Sequence, residues 1–330
     1  MIIGKVKTNQ PFLFSLLLIM AVALWIDGFF LFRDTVLPVE NMAPFYSIII
    51  HFLAPHKLAG TLISFFLMII QAYMFNRVIT DKNLVDRNSK LPALIYIVLM
   101  SSHFGLAGLQ PVWFANFFLI MALDKIFDVF RDEAVFIEIF NVGFLISLAS
   151  LFYYPALAFI LLIISALLIY YLTNIRALLA SVMGFMLPWL FVALYYYWTD
   201  TLAEQLQALT TLNIGIVLTS LPRGYWEWIR LTATALTGLI AISSIYLGGL
   251  RDKPVRIRKR YQVILVYLLI SLVAIFFAGN HLTIHAGIIL LPLAAIIAIF
   301  FQENRKNLLN EILFTILLLI AITGLILNFD

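Results

Sequence analysis

The chain has 330 residues, 64% of them hydrophobic and 12% charged, with a mean hydropathy of +1.05; soluble domains carry about 25% charged residues, so a soluble globular fold is excluded. The formal net charge of +4 arises from basic residues scattered in short clusters between apolar runs rather than in one stripe, which argues against a nucleic-acid partner. The absence of cysteine removes disulfides, thiolate metal sites and cysteine nucleophiles from consideration.

The apolar residues come in long unbroken blocks, not in the alternation of barrel strands, so the expected fold is all-α: a polytopic transmembrane helical bundle forming a single integral membrane domain over residues 1–330. Spans are expected at about 11–32, 57–79, 91–108, 111–127, 135–153, 156–173, 177–198, 229–248, 261–278, 282–301 and 309–328, eleven in all. The first is read as a retained helix, because no short signal-peptide core or cleavage site follows Gln10. Of the 21 basic residues only Arg33, Lys57, Arg223 and Arg230 fall on one side of this arrangement. The positive-inside rule then places the N-terminus in the cytoplasm and the C-terminus outside.

In chain order, the run WIDGFFLFRDTVLPVEN, which leads from the first span into the outer connection 33–56, gathers Asp27, Arg33, Asp34 and Glu40. Asp27 and Asp34 are seven residues apart and share a face if the first helix continues. One reading pairs Arg33 with Asp34 or Asp27 at the interface; the other makes Asp34 a base, with a cation nearby, for a lipid-borne substrate. Pro44–Phe52 is apolar but too short to span, so it is expected as an interfacial or re-entrant helix. His51, His56, His103, His281 and His285 all fall in the outer half, where hydrogen bonding to a sugar or phosphate is a natural use. His281 and His285 have the i, i+4 spacing of a metal pair, but no Glu accompanies them, so neither a metal nor any other cofactor is expected.

Gln110, Trp113 and Asn116 follow the third span and offer polar and stacking contacts. Asp124, Asp128, Asp132 and Glu133 read as a solvated helix end, whereas Glu138 and Asn141 read as helix-to-helix hydrogen bonds. The second long outer segment (199–228) holds an amphipathic stretch and ends in the aromatic Tyr225, Trp226 and Trp228. Arg223 and Arg230 are seven apart around YWEWI, either clamping one anion between them or, for Arg230, snorkelling and pairing with Glu227. The basic run Arg251–Arg260 reads as a topology determinant touching anionic headgroups.

The runs NRVITDKNLVDRNSKLPALIYIVL from Asn76, LQPVWFANFFLIMAL, GFLISLASLFYYPALAFILLI and GFMLPWLFVALYY resemble an uncharacterised family of multi-spanning inner-membrane proteins common in Bacteroidota. The architecture is similar to the GT-C membrane glycosyltransferases and O-antigen polymerases, in which a carboxylate follows the first helix, an interfacial helix lies in the same loop, and short paired helices follow mid-chain. The resemblance implies Asp34 or Asp27 as the carboxylate, Pro44–Phe52 as the interfacial helix, and a short pair joined at Tyr153, Tyr154 and Pro155. It also implies a polyprenyl-phosphate-linked sugar as substrate, with Arg33, Glu40, the five histidines, Arg223 and Arg230 available to bind it. The expected partners are therefore membrane lipids and that substrate. The alternative is a non-enzymatic transporter or a membrane subunit of an envelope assembly or secretion machine.

Overall fold

A computed structural model describes residues 11–31, 42–102, 106, 108–129, 135–172, 174–205, 225–248, 250–277, 282–303 and 308–326. Among them every regular element is helical: α1 (Pro11–Leu24), α2 (Ile26–Leu31), α3 (Pro44–Leu53), α4 (Lys57–Asp81), α5 (Leu91–Ser102), α6 (Pro111–Asp128), α7 (Val135–Phe152), α8 (Ile160–Ile169), α9 (Ile175–Trp198), α10 (Tyr225–Leu247), α11 (Val255–Val273), α12 (Leu282–Glu303) and α13 (Leu308–Ile326). A 3-10 turn over Tyr154–Phe159 leads into α8, and another over Ala274–Phe277 ends α11.

Each of the eleven apolar runs contains a helix. Among the described residues six helices are long and apolar enough to cross a membrane: α4, α7, α9, α10, α11 with its 3-10 end, and α12. Others fall short for evident reasons. Helix α5 has 12 residues, α1 has 14, and α6 carries Asp124, Lys125 and Asp128 in its last two turns. The chain is thus an all-helical membrane protein, with apolar helices suited to contact lipid.

Local sequence explains the helix ends. Pro44 and Pro111 start α3 and α6, where a missing N–H costs nothing, and the Asn174 side chain caps α9 by accepting from the Arg176 N–H at 3.1 Å. Helix α4 ends with Asn83 at φ 56°, a left-handed position that Asn tolerates, while the Leu84 N–H returns to the Ile79 carbonyl at 3.1 Å.

Helices α5 and α12 form the centre. All of α5 except Ser101 is buried, and 89% of the apolar window of α12 is buried, as expected of a helix apolar on every side. Around them pack α4, α6, α10, α11 and α13, while α9 stands outside, 28% buried, with Met183, Met186 and Phe191 exposed. Lipid supplies no hydrophobic drive between helices, so close backbone approach and hydrogen bonds carry the association. Helices α7 and α9 show this at reciprocal glycines: a methyl on Gly143 would collide with the Ser181 carbonyl, and one on Gly184 with the Phe140 carbonyl.

Candidate functional site

The antiparallel course of the helices sorts the buried polar groups into two ends and a middle layer. At one end α4 stops, α6 stops, and α11 begins. There the Lys82 ammonium bridges two carboxylates one helical turn apart on α6, lying 2.8 Å from Asp124 Oδ1 and 2.6 Å from Asp128 Oδ1. The buried Arg260 donates from Nη1 to the Lys82 carbonyl at 2.6 Å and from Nη2 to the Phe127 carbonyl at 3.1 Å. Its planar fork fits two neighbouring acceptors as a lysine would not. Nearby, Lys125 pairs with Glu138 at 3.0 Å, tying α6 to α7, and Glu303 receives both Lys253 and the Tyr261 hydroxyl at 3.1 Å. An open crevice of about 620 Å³ lies between the 83–89 turn and Lys253, Gln302 and Glu303.

These contacts revise two sequence expectations. Asp124 and Asp128 are not simply solvated, because Lys82 is held by both; Asp132 and Glu133 lie outside the described residues. The basic run does not all face headgroups: α11 starts inside it at Val255, which turns Arg260 into the bundle. Lys259 instead lies 4.3 Å from the ring centroid of Tyr171, which holds φ 59° at the end of α8. Glu138 does form a helix-to-helix contact.

The opposite end is organised by α3 and the turn between α5 and α6. Tyr46, fully buried, donates its hydroxyl to the Leu109 carbonyl at 2.9 Å and so seats α3 on that turn. Gly60 of α4 supports the same point, since a Cβ there would come within 3.2 Å of the Leu109 side chain. The next residue, Gln110, is also fully buried, yet neither Oε1 nor Nε2 finds a hydrogen-bond partner. Ser64, one helical turn beyond Gly60, is buried with an equally unpartnered hydroxyl. Such groups normally find partners, because leaving one unpaired costs about 1–3 kcal/mol. The other end of the same turn receives Arg230, buried, whose Nη1 donates to the Ser102 carbonyl at 3.1 Å. Trp25 closes the side, donating to Ser101 Oγ at 3.1 Å with its ring centroid 5.6 Å from that of Trp113.

Between the ends, Gln71 donates to the Trp113 carbonyl and accepts from the Tyr96 hydroxyl at 2.7 Å, and Asn116 donates to the Gly287 carbonyl at 2.9 Å. His285 of α12 meets α11 and the link after α7: Nε2 lies 2.8 Å from the Ser271 carbonyl and Nδ1 lies 3.2 Å from the Tyr153 hydroxyl. A carbonyl can only accept, so Nε2 carries the proton and, in the neutral ring, Nδ1 accepts from Tyr153. Both nitrogens of His285 are therefore engaged inside the bundle.

Of the residues singled out from sequence, His51 and His56 are exposed, His51 beside the Phe52 ring and His56 at the start of α4. Arg230 is buried at the Tyr46 end, and His285 is buried in the layer between the ends. Arg33, Asp34, Glu40, His103, Arg223 and His281 lie outside the described residues, as does the side chain of Asp27. Sequence reasoning overlooked Gln71, Tyr96, Lys82 and the Tyr153 hydroxyl. A lone Gln in LMIIQAYMF was the available signal, since an amide at membrane depth must find partners.

Comparison with known protein families shows that a family described as "Family of unknown function (DUF6427)" matches residues 35–327. No curated protein and no solved structure matches the chain.

Proposed function

We propose that this chain, which belongs to the DUF6427 family, is a GT-C-like glycosyltransferase or glycan polymerase working at its Tyr46 end, on the outer face of a bacterial inner membrane. The observation that carries the reading is the unpartnered, fully buried Gln110 amide beneath α3. It sits on the turn whose far end holds the Arg230 guanidinium. In sequence, Asp34 and Glu40 stand between α2 and α3.

In this reading the chain crosses the membrane eleven times with its N-terminus cytoplasmic, and the basic Lys82 end faces the cytoplasm. The donor is a sugar on a polyprenyl phosphate. Asp34 takes the proton of an acceptor hydroxyl, whose oxygen attacks the anomeric carbon as the bond from that carbon to the carrier phosphate breaks. Arg33, Arg223 or Arg230 stabilises the departing lipid phosphate, a task suited to the guanidinium fork. Gln110 and the outer histidines other than His285 hold sugar hydroxyls.

The test is assembly of lipid-linked glycan in cells carrying Asp34→Asn or Arg223→Ala at normal membrane levels. The expected result is accumulation of an unextended lipid-linked precursor in both strains. Wild-type glycan with correctly inserted variants would contradict the proposal.

A further inference from the structure

A second feature stands apart from this end and does not depend on the transferase reading. Helices α1, α4 and α5 enclose a partly open groove on the flank of the bundle. Leu18, Ile69, Ala72 and Ile97 supply apolar walls, and Lys90 with Tyr73 supplies polar groups at its lining. Lys90 precedes the first residue of α5, so the ammonium marks the Lys82 end of the groove, and the stretch from Lys90 to Ile97 runs about 10 Å along α5. The Tyr73 ring is 57% exposed. Asn76, also in the lining, accepts from the Ala93 N–H with its Oδ1 at 3.3 Å, so the groups the lining can offer an anion are donors, with the Lys90 ammonium as the one cation.

The charge of the groove decides its occupant. No carboxylate lines it, and among the described residues Lys90 forms no ion pair, in contrast to Lys82, Lys125 and Lys253 at the same end. A lysine beside an apolar channel in a membrane-facing surface is matched by one kind of molecule, an amphiphile with an alkyl chain and an anionic head. We infer that the groove between α1, α4 and α5 is a binding site for one acyl chain of an anionic phospholipid, with the headgroup phosphate on the Lys90 ammonium and the Tyr73 hydroxyl.

The experiment is native mass spectrometry of the full-length protein released from micelles supplied with phosphatidylglycerol or phosphatidylcholine. Wild type is expected to retain phosphatidylglycerol preferentially, and Lys90→Gln to lower that retention about fivefold. Leu18→Trp, which fills the groove from a half-exposed position, is expected to lower it with the charge intact. Arg176→Gln, an exposed change at the start of α9, which packs on α7 and α8 and away from the groove, is expected to leave it unchanged. Retention unaffected by Lys90→Gln or by Leu18→Trp, or lowered equally by Arg176→Gln, would overturn the assignment. The precursor-accumulation test of the transferase reading is scored separately, so either can fail alone.

Discussion

The two ends of the bundle differ in what their charged and polar groups meet. At the Lys82 end charge meets charge: one ammonium lies between two carboxylates, one guanidinium spans two carbonyls, and Glu303 accepts from two donors. At the Tyr46 end hydrogen bonds are spent on seating α3 and fixing the α5–α6 turn, while the amide of Gln110 and the hydroxyl of Ser64 remain buried and unpartnered. Membrane helices gain little from burying apolar surface against one another, so a paired network is a device for association. An unpaired group lowers stability and persists where something else uses it.

Substitutions at the paired end should be the most damaging to the fold. Lys82→Met leaves Asp124 and Asp128 facing one another without a cation and is expected to lower unfolding free energy by about 3 kcal/mol. Thermal unfolding in detergent measures this, and adding Asp128→Leu to the same chain should recover part of the loss, since the two sites are coupled. Arg260→Leu orphans the carbonyls of Lys82 and Phe127 and is expected to cost about 2 kcal/mol. Smaller again is Lys125→Gln: its partner Glu138 is mostly buried but the lysine side chain is 36% exposed, so a loss of under about 1 kcal/mol is expected. If these three changes were equally mild, the Lys82 end would not be the clamp described.

Much of the fold could be read from sequence because it rests on local signals. The eleven apolar runs each contain a helix, and the Pro-led PFYSIIIHF stretch is helical. The pairings were hidden because they join residues far apart in the chain: Arg260 meets the Lys82 carbonyl across 178 positions, and Asn116 meets Gly287 across 171. Charge counting places a lysine on one side of the membrane but does not tell a topology marker from a buried strut, and Lys82 and Arg260 prove to be struts. One clue was local, since Asp124 and Asp128 are an i, i+4 pair on one helix face. At the other end Gln110 was noticed for its position after the third span, but its burial without a partner is a property of packing.

The contrast between the ends is sharpest in one substitution. Gln110→Leu replaces an unpartnered buried amide with an apolar group of similar size, so stability should hold within about 1 kcal/mol of wild type or rise. If the Tyr46 end binds a ligand, the same change should stop lipid-linked glycan assembly. Thermal unfolding of the purified variant, read beside precursor accumulation in cells, is therefore the most direct measurement. The expected result is a fully stable protein that no longer supports assembly. A variant that unfolds early, or a stable one that assembles glycan normally, would contradict the assignment of this end as the working face.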